Sequence, residues 1–137
     1  MSPSYLLDTN VCIRVVNATA PLLLNRLKRE DQSSIAICSV VKAELYYGAA
    51  RSNDPTKARA EQDKFLQNMH SLPFDDPAAE IAGQVRAELA QRGTPNGMND
   101  LLIASIALAH DVALVTHNVA EFARVPGLRI EDWEAVP

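Results

Sequence analysis

Three short runs in this chain are apolar at every position: Tyr5-Leu6-Leu7, Ile35-Ala36-Ile37-Cys38 and Val112-Ala113-Leu114-Val115. A strand with one wet face alternates apolar and polar residues. A strand without that alternation must be covered on both faces, the condition inside a parallel sheet wrapped by helices. The runs stop at Asp8, Ser39 and Thr116, and Leu128-Arg129-Ile130 is a weaker fourth. Helical periods lie between them. Residues 10–16 read as a short helix capped near Asp8 or Thr9, and residues 21–29 as a second with Pro21 in its first turn. Ser39 is placed to cap a helix over 40–50. Helices over 55–69 and 77–91 follow, the second with Ile81, Val85 and Leu89 at four-residue spacing and a stop before Gly93. A helix from Asn99 or Asp100 to Ala109 has no charge between Leu101 and Leu108, so it should be buried nearly all round. This alternation predicts an α/β fold: a three-layer α/β/α sandwich on a central, mainly parallel sheet of four or five strands.

At 137 residues the chain suits a single domain over 1–137. Its 47% apolar and 22% charged content excludes a disordered or fibrous chain. Two cysteines are too few for a disulfide scaffold or a four-cysteine zinc site, and Cys12 and Cys38 read as buried thiols of a reducing compartment. No stretch approaches the roughly 18 apolar residues of a membrane span. The first ten residues carry no basic region ahead of their apolar ones, which predicts no signal peptide and a cytoplasmic protein. A net charge of −4 argues against binding nucleic acid through a broad basic patch, but leaves room for an acidic site bridged to nucleic acid by metal.

The residues fit for chemistry are acids at strand ends and early helix turns. Asp8 ends the first apolar run and opens a helix; ligands in open parallel sheets gather at such strand ends, although a helix cap needs the same residue. Glu44 lies one turn after Val40 and one before Gly48, on a row otherwise apolar or small. There it is either bound in a cleft or paired with Lys42, Arg51 or a distant arginine. Asp100 begins the most apolar helix, where Asn99 could cap equally well. Thr116-His117-Asn118 ends the third run, with Glu121 a turn later. If these groups meet, their like charges repel, and a divalent cation removes the repulsion. Oxygen donors without paired His or Cys favour Mg²⁺ or Mn²⁺ over zinc. The chemistry that suits such a centre is phosphodiester hydrolysis.

The ordered set Tyr5-Leu6-Leu7-Asp8-Thr9-Asn10, Ser39 to Gly48 (SVVKAELYYG), Gly97 to Ala104 (GMNDLLIA), Leu114-Val115-Thr116-His117-Asn118 and the tail from Phe122 to Trp133 resembles PIN-domain ribonucleases. More narrowly, it is similar to the toxin half of VapBC-type toxin–antitoxin pairs. The resemblance implies that Asp8, Glu44 and Asp100 ligate Mg²⁺ or Mn²⁺, supported by Thr9, Asn10 and Thr116. The family's fourth acidic position falls on Asn118, a departure for which Glu121 could substitute; both stand as candidate catalytic residues. The resemblance implies an endoribonuclease in which metal-activated water cuts an RNA strand and leaves a 5′-phosphate, with Glu44 alternatively a general base.

Grip on RNA would fall to sparse cations, Arg14, Lys42, Arg51, Arg86 and Arg124. Single-stranded or looped RNA is the expected target, because no groove-reading helix motif is present. The resemblance further implies a VapB-type antitoxin over the acidic cleft. It also implies a homodimer through the 22–27 and 40–47 regions, forming a heterotetramer or larger assembly with the antitoxin. Two other readings compete: an RNA-processing PIN nuclease outside any toxin pair, and a degenerate PIN-fold binding module. The intact Asp8, Glu44 and Asp100 argue against the second.

Overall fold

A computed structural model describes residues 2–136; Met1 and Pro137, the ends of the expected 1–137 domain, lie outside them. Five parallel strands form one sheet in the order β3-β2-β1-β4-β5. They are β1 (Tyr5–Leu7), β2 (Ile35–Cys38), β3 (His70–Leu72), β4 (Ala113–Val115) and β5 (Ile130–Glu131). Seven α-helices connect them: α1 (Thr9–Asn17), α2 (Pro21–Arg29), α3 (Ser39–Ala50), α4 (Pro55–Leu66), α5 (Asp76–Gln91), α6 (Met98–Ala109) and α7 (Val119–Phe122). The α/β/α architecture expected from the apolar runs is the one observed.

The central strands behave as their composition requires. Leu6, Leu7, Ala36, Ile37, Cys38, Leu114 and Val115 are fully buried, so both faces of the sheet are covered. Each buried Leu or Ile there contributes about 1.5–3 kcal/mol. The uncharged centre of α6 is buried from Ile103 through Ala107, and α6 packs along α5. Gly93 follows α5 at φ +72°, a left-handed conformation that glycine adopts without a Cβ penalty.

Some boundaries differ from the sequence reading for local reasons. Ser39 is the first residue of α3, which Cys38 precedes without a side-chain cap. Helix α6 begins at Met98 behind Gly97, so Asp100 lies inside its first turn and is free of capping duty. Helix α4 ends at Leu66, because the chain must turn into β3, an edge strand whose polar His70-Ser71 carries no apolar signature. The fourth run becomes strand only at Ile130, where it pairs with Leu114. Among the described residues no helix is long and apolar enough to cross a membrane.

Candidate active site

The sheet order decides where the chemistry gathers. From β1 the chain builds outward through β2 and β3, then returns to the other side of β1 as β4. The order reverses between β1 and β4, and the crevice beyond the carboxyl ends of such a pair is where open α/β sheets bind ligands. Asp8 and Thr116 are the first residues past those two ends.

Asp8 is buried at 5% exposure, and both its oxygens are held. Oδ1 accepts from the Val11 N–H at 2.8 Å, capping α1, and Oδ2 accepts from the Thr116 hydroxyl. Cap and site ligand are therefore compatible roles of one carboxylate. Burial pushes its pKa up; the Thr116 and Val11 hydrogen bonds and the Arg14 charge pull partly the other way.

Thr9, at the start of α1, donates its hydroxyl to Glu44 Oε1 at 2.5 Å across the α1–α3 packing. Among the described residues Glu44 forms no ion pair, so the pairing with Lys42 or Arg51 considered from sequence is not the one formed. Instead a hydroxyl aims the carboxylate at a cleft of about 710 Å³, which Asn10, Tyr47, Arg51 and Asn99 also line. Thr9→Val keeps the side-chain shape and removes that donor. It should lower cleavage about 10–100-fold, as loss of a group that orients a ligand does, while leaving the melting temperature within a few degrees; steady-state rates and a thermal melt check both.

Asp100 is half-buried, and its carboxyl is pushed up to about 6. Burial is the largest cause, followed by the charges of Glu121, Glu44 and Asp8. The charges of three other carboxylates thus reach Asp100, although no three of Asp8, Glu44, Asp100 and Glu121 bring ligand oxygens within 4.8 Å of one another. Glu121 Oε2 accepts from the Asn118 amide at 2.7 Å, and Oε1 from the Gly97 N–H at 3.4 Å. Asn118 in turn is anchored by its own N–H, which donates to Thr116 Oγ1 at 3.0 Å. Of the two candidates for the fourth position, Glu121 is the one whose charge bears on Asp100, and the Asn118 amide donates to Glu121.

The cations divide. Arg14 is engaged by Glu134 at 2.5 Å. Arg51 lies over the Tyr47 ring at 5.0 Å, at the mouth of the acidic cleft. Lys42 is half-buried on α3, whereas Arg86 and Arg124 are exposed. Sequence reasoning missed the clamp from the chain's tail, Arg14 to Glu134 and His117 Nδ1 to Asp132 at 3.0 Å. His117, Asp132 and Glu134 lie within ligand reach of one another, but Arg14 already neutralises Glu134, which disfavours a cation there.

All four acids offer oxygen, and their mutual repulsion at Asp100 marks a place that a hard divalent cation would relieve; the donor set fits Mg²⁺ or Mn²⁺ and lacks the paired N or S donors of zinc. The PIN domain family model matches residues 5–128. The chain belongs to the PIN-domain family. This PIN domain is 39% identical over 131 residues to ribonuclease VapC2 of Rickettsia felis, covering 95% of this chain and 98% of that one. It is 40% identical over 129 residues to the tRNA(fMet)-specific endonuclease VapC of Salmonella typhimurium, covering 94% and 97%. The crystal structure of DNA-bound VapBC from Salmonella typhimurium superposes on it with a TM-score of 0.90 at 39% identity, over 96% of this chain and 98% of that one.

Proposed function

We propose that this PIN domain, read as one domain over its whole length, is a metal-dependent endoribonuclease and the toxin of a VapBC-type toxin–antitoxin pair. The observation that carries this reading is Asp100, half-buried at a helix start and pressed by Glu121, Glu44 and Asp8. A divalent cation beside Asp100 would relieve the charges that bear on it.

Asp8, Glu44 and Asp100 would hold Mg²⁺ or Mn²⁺, with Glu121 completing the acidic wall. A bound cation of this kind polarises a phosphate oxygen and lowers the pKa of water. The chain's own contribution is orientation. Thr116 fixes Asp8, Thr9 fixes Glu44, and Asn118 fixes Glu121. Glu44 lines the cleft, where its carboxylate could accept a proton from water. Arg51 at the cleft mouth and Lys42 on α3 supply positive charge toward the RNA backbone.

The relatives' names and the VapBC complexes among similar solved structures support a VapB-type antitoxin as partner. An arginine from such a partner would satisfy the acids in the absence of metal. For a homodimer through the 22–27 and 40–47 regions, Leu23, Val41 and Leu45 are core residues, while Leu22 and Tyr47 are exposed for contact. The test is to incubate the purified chain with cellular RNA and Mg²⁺ and to sequence the ends produced. Discrete cuts with 5′-phosphates, absent with chelator and suppressed by the co-produced antitoxin, are expected. Intact RNA under all conditions would leave the degenerate-module reading.

A further inference from the structure

The face of α3 that carries Glu44 continues past it. Tyr47, Gly48 and Arg51 follow at three, four and seven residues, so they share one side of the helix and its C-terminal cap. With a rise of about 1.5 Å per residue, Tyr47 stands about 4.5 Å and Arg51 about 10 Å further along the axis than Glu44. All four line the cleft of about 710 Å³, together with Ile13 of α1 and Asn99 of α6, the neighbour of Asp100. Gly48 contributes no side chain between them, and a Cβ there would meet nothing within 4 Å.

Tyr47 is 66% exposed, against 37% for Phe74, the next most exposed aromatic residue. Arg51 lies over one face of the ring, 5.0 Å from its centroid, and makes no ion pair among the described residues. With Arg51 on one face and two-thirds of the residue still exposed, the other face is open. Tyr46 shows the contrast. It is half-buried, its ring is covered by Arg59 at 3.8 Å, and Arg59 is itself held by Asp63 at 2.9 Å.

A chain of net charge −4 with an acidic cleft gains little from general attraction to the RNA backbone. A ring face is neutral and accepts any base. Stacking on an aromatic side chain raises affinity by about 5- to 150-fold per base. The ring and the Glu44 carboxylate share one cleft, so a strand that presents its phosphate to the acids has a neighbouring base within reach of Tyr47.

We propose that Tyr47 is the stacking platform for one unpaired base next to the cut bond, with Arg51 backing the ring and meeting an adjoining phosphate. This subsite rests on the ribonuclease reading, and it requires the RNA to be unpaired there, because a base inside a duplex has both faces occupied. The test uses a short single-stranded RNA that the wild type cuts, and versions of it with an abasic residue at each position flanking the cut. At one position, loss of the base should raise KM about tenfold and leave kcat within about threefold. Tyr47→Ala should raise KM for the intact RNA by a similar factor and abolish the sensitivity to the abasic residue. Tyr47→Phe keeps the ring and should behave as the wild type. Arg51→Ala should raise KM for intact and abasic RNA alike and reduce the salt slope by about one. Because both residues are exposed, the three variants should melt within a few degrees of the wild type.

Separately, the Tyr47 ring protons should move upfield on titration with adenosine monophosphate and stay in place with ribose 5-phosphate, which carries the phosphate without the base. A wild type indifferent to every abasic position, an unchanged sensitivity in Tyr47→Ala, or equal ring shifts with both probes would each overturn the platform. An unchanged sensitivity joined to loss of self-association on size exclusion would make Tyr47 a contact between copies of the chain instead. If the wild type cuts no RNA, the ribonuclease reading falls by itself, and the ring titration still decides the subsite.

Discussion

Asp100→Asn should lower metal-dependent RNA cleavage by at least about 10²–10³-fold, the loss typical of removing one preorganised electrostatic group from an active site, and should stabilise the metal-free protein. The two effects have one origin. Asp100 sits half-buried among Glu121, Glu44 and Asp8, and its carboxyl is pushed up to about 6. A carboxylate raised in the folded state contributes stability that is present at low pH and lost as pH rises through the folded value. At pH 7 it is ionised and opposes folding; the amide removes that charge at nearly constant shape. Because Asp100 is only half-buried, solvent screens much of the repulsion, and a gain of about 1 kcal/mol, a few degrees in melting temperature, is the expected size. A structural carboxylate would show the opposite sign: loss of stability with cleavage retained. Cleavage near the wild-type level with unchanged stability would remove Asp100 from the site.

The same contrast explains what the sequence could and could not reveal. Leu6, Ile37 and Leu114 announce their strands because a strand covered on both faces has no freedom to carry polar residues. β3 stayed silent because His70 and Ser71 lie on an exposed edge, where that constraint lapses. Asp8, Glu44 and Asp100 were legible as acids in apolar surroundings, and family resemblance supplied the expectation that they meet. Hydrophobic periodicity carries no information about convergence, since residues 8, 44, 100 and 121 are joined only through the sheet order. Asn118 and Glu121 are one helical turn apart, and their relation to each other and to Asp100 needs coordinates: the Asn118 amide donates to Glu121, whose charge bears on Asp100. Arg14 illustrates the converse limit. Its partner Glu134 is distant in sequence, so the pairing leaves no local trace.

Adding Mg²⁺ should raise the melting temperature of the wild-type protein at pH 7.5 on the order of 10 °C once the ion exceeds its dissociation constant a hundredfold. Binding to the folded state alone then contributes about 2.7 kcal/mol. The increment should shrink as pH falls through 6. Metal competes with the proton for Asp100, so below about 6 each unit of acidity costs about tenfold in apparent affinity. Asp8, also raised by burial, moves the balance in the same direction. Without metal the trend reverses: protonating Asp100 relieves its repulsion with Glu121, Glu44 and Asp8, so this group makes the metal-free protein more stable at pH 5 than at pH 7.5. The melting curves with and without Mg²⁺ should therefore lie far apart at pH 7.5 and draw together near pH 5. Asp100→Asn should lose most of the increment at pH 7.5. A Mg²⁺ effect of equal size at both pH values, or one that survives in Asp100→Asn, would mean that the ion binds elsewhere and that the four acids meet for another reason.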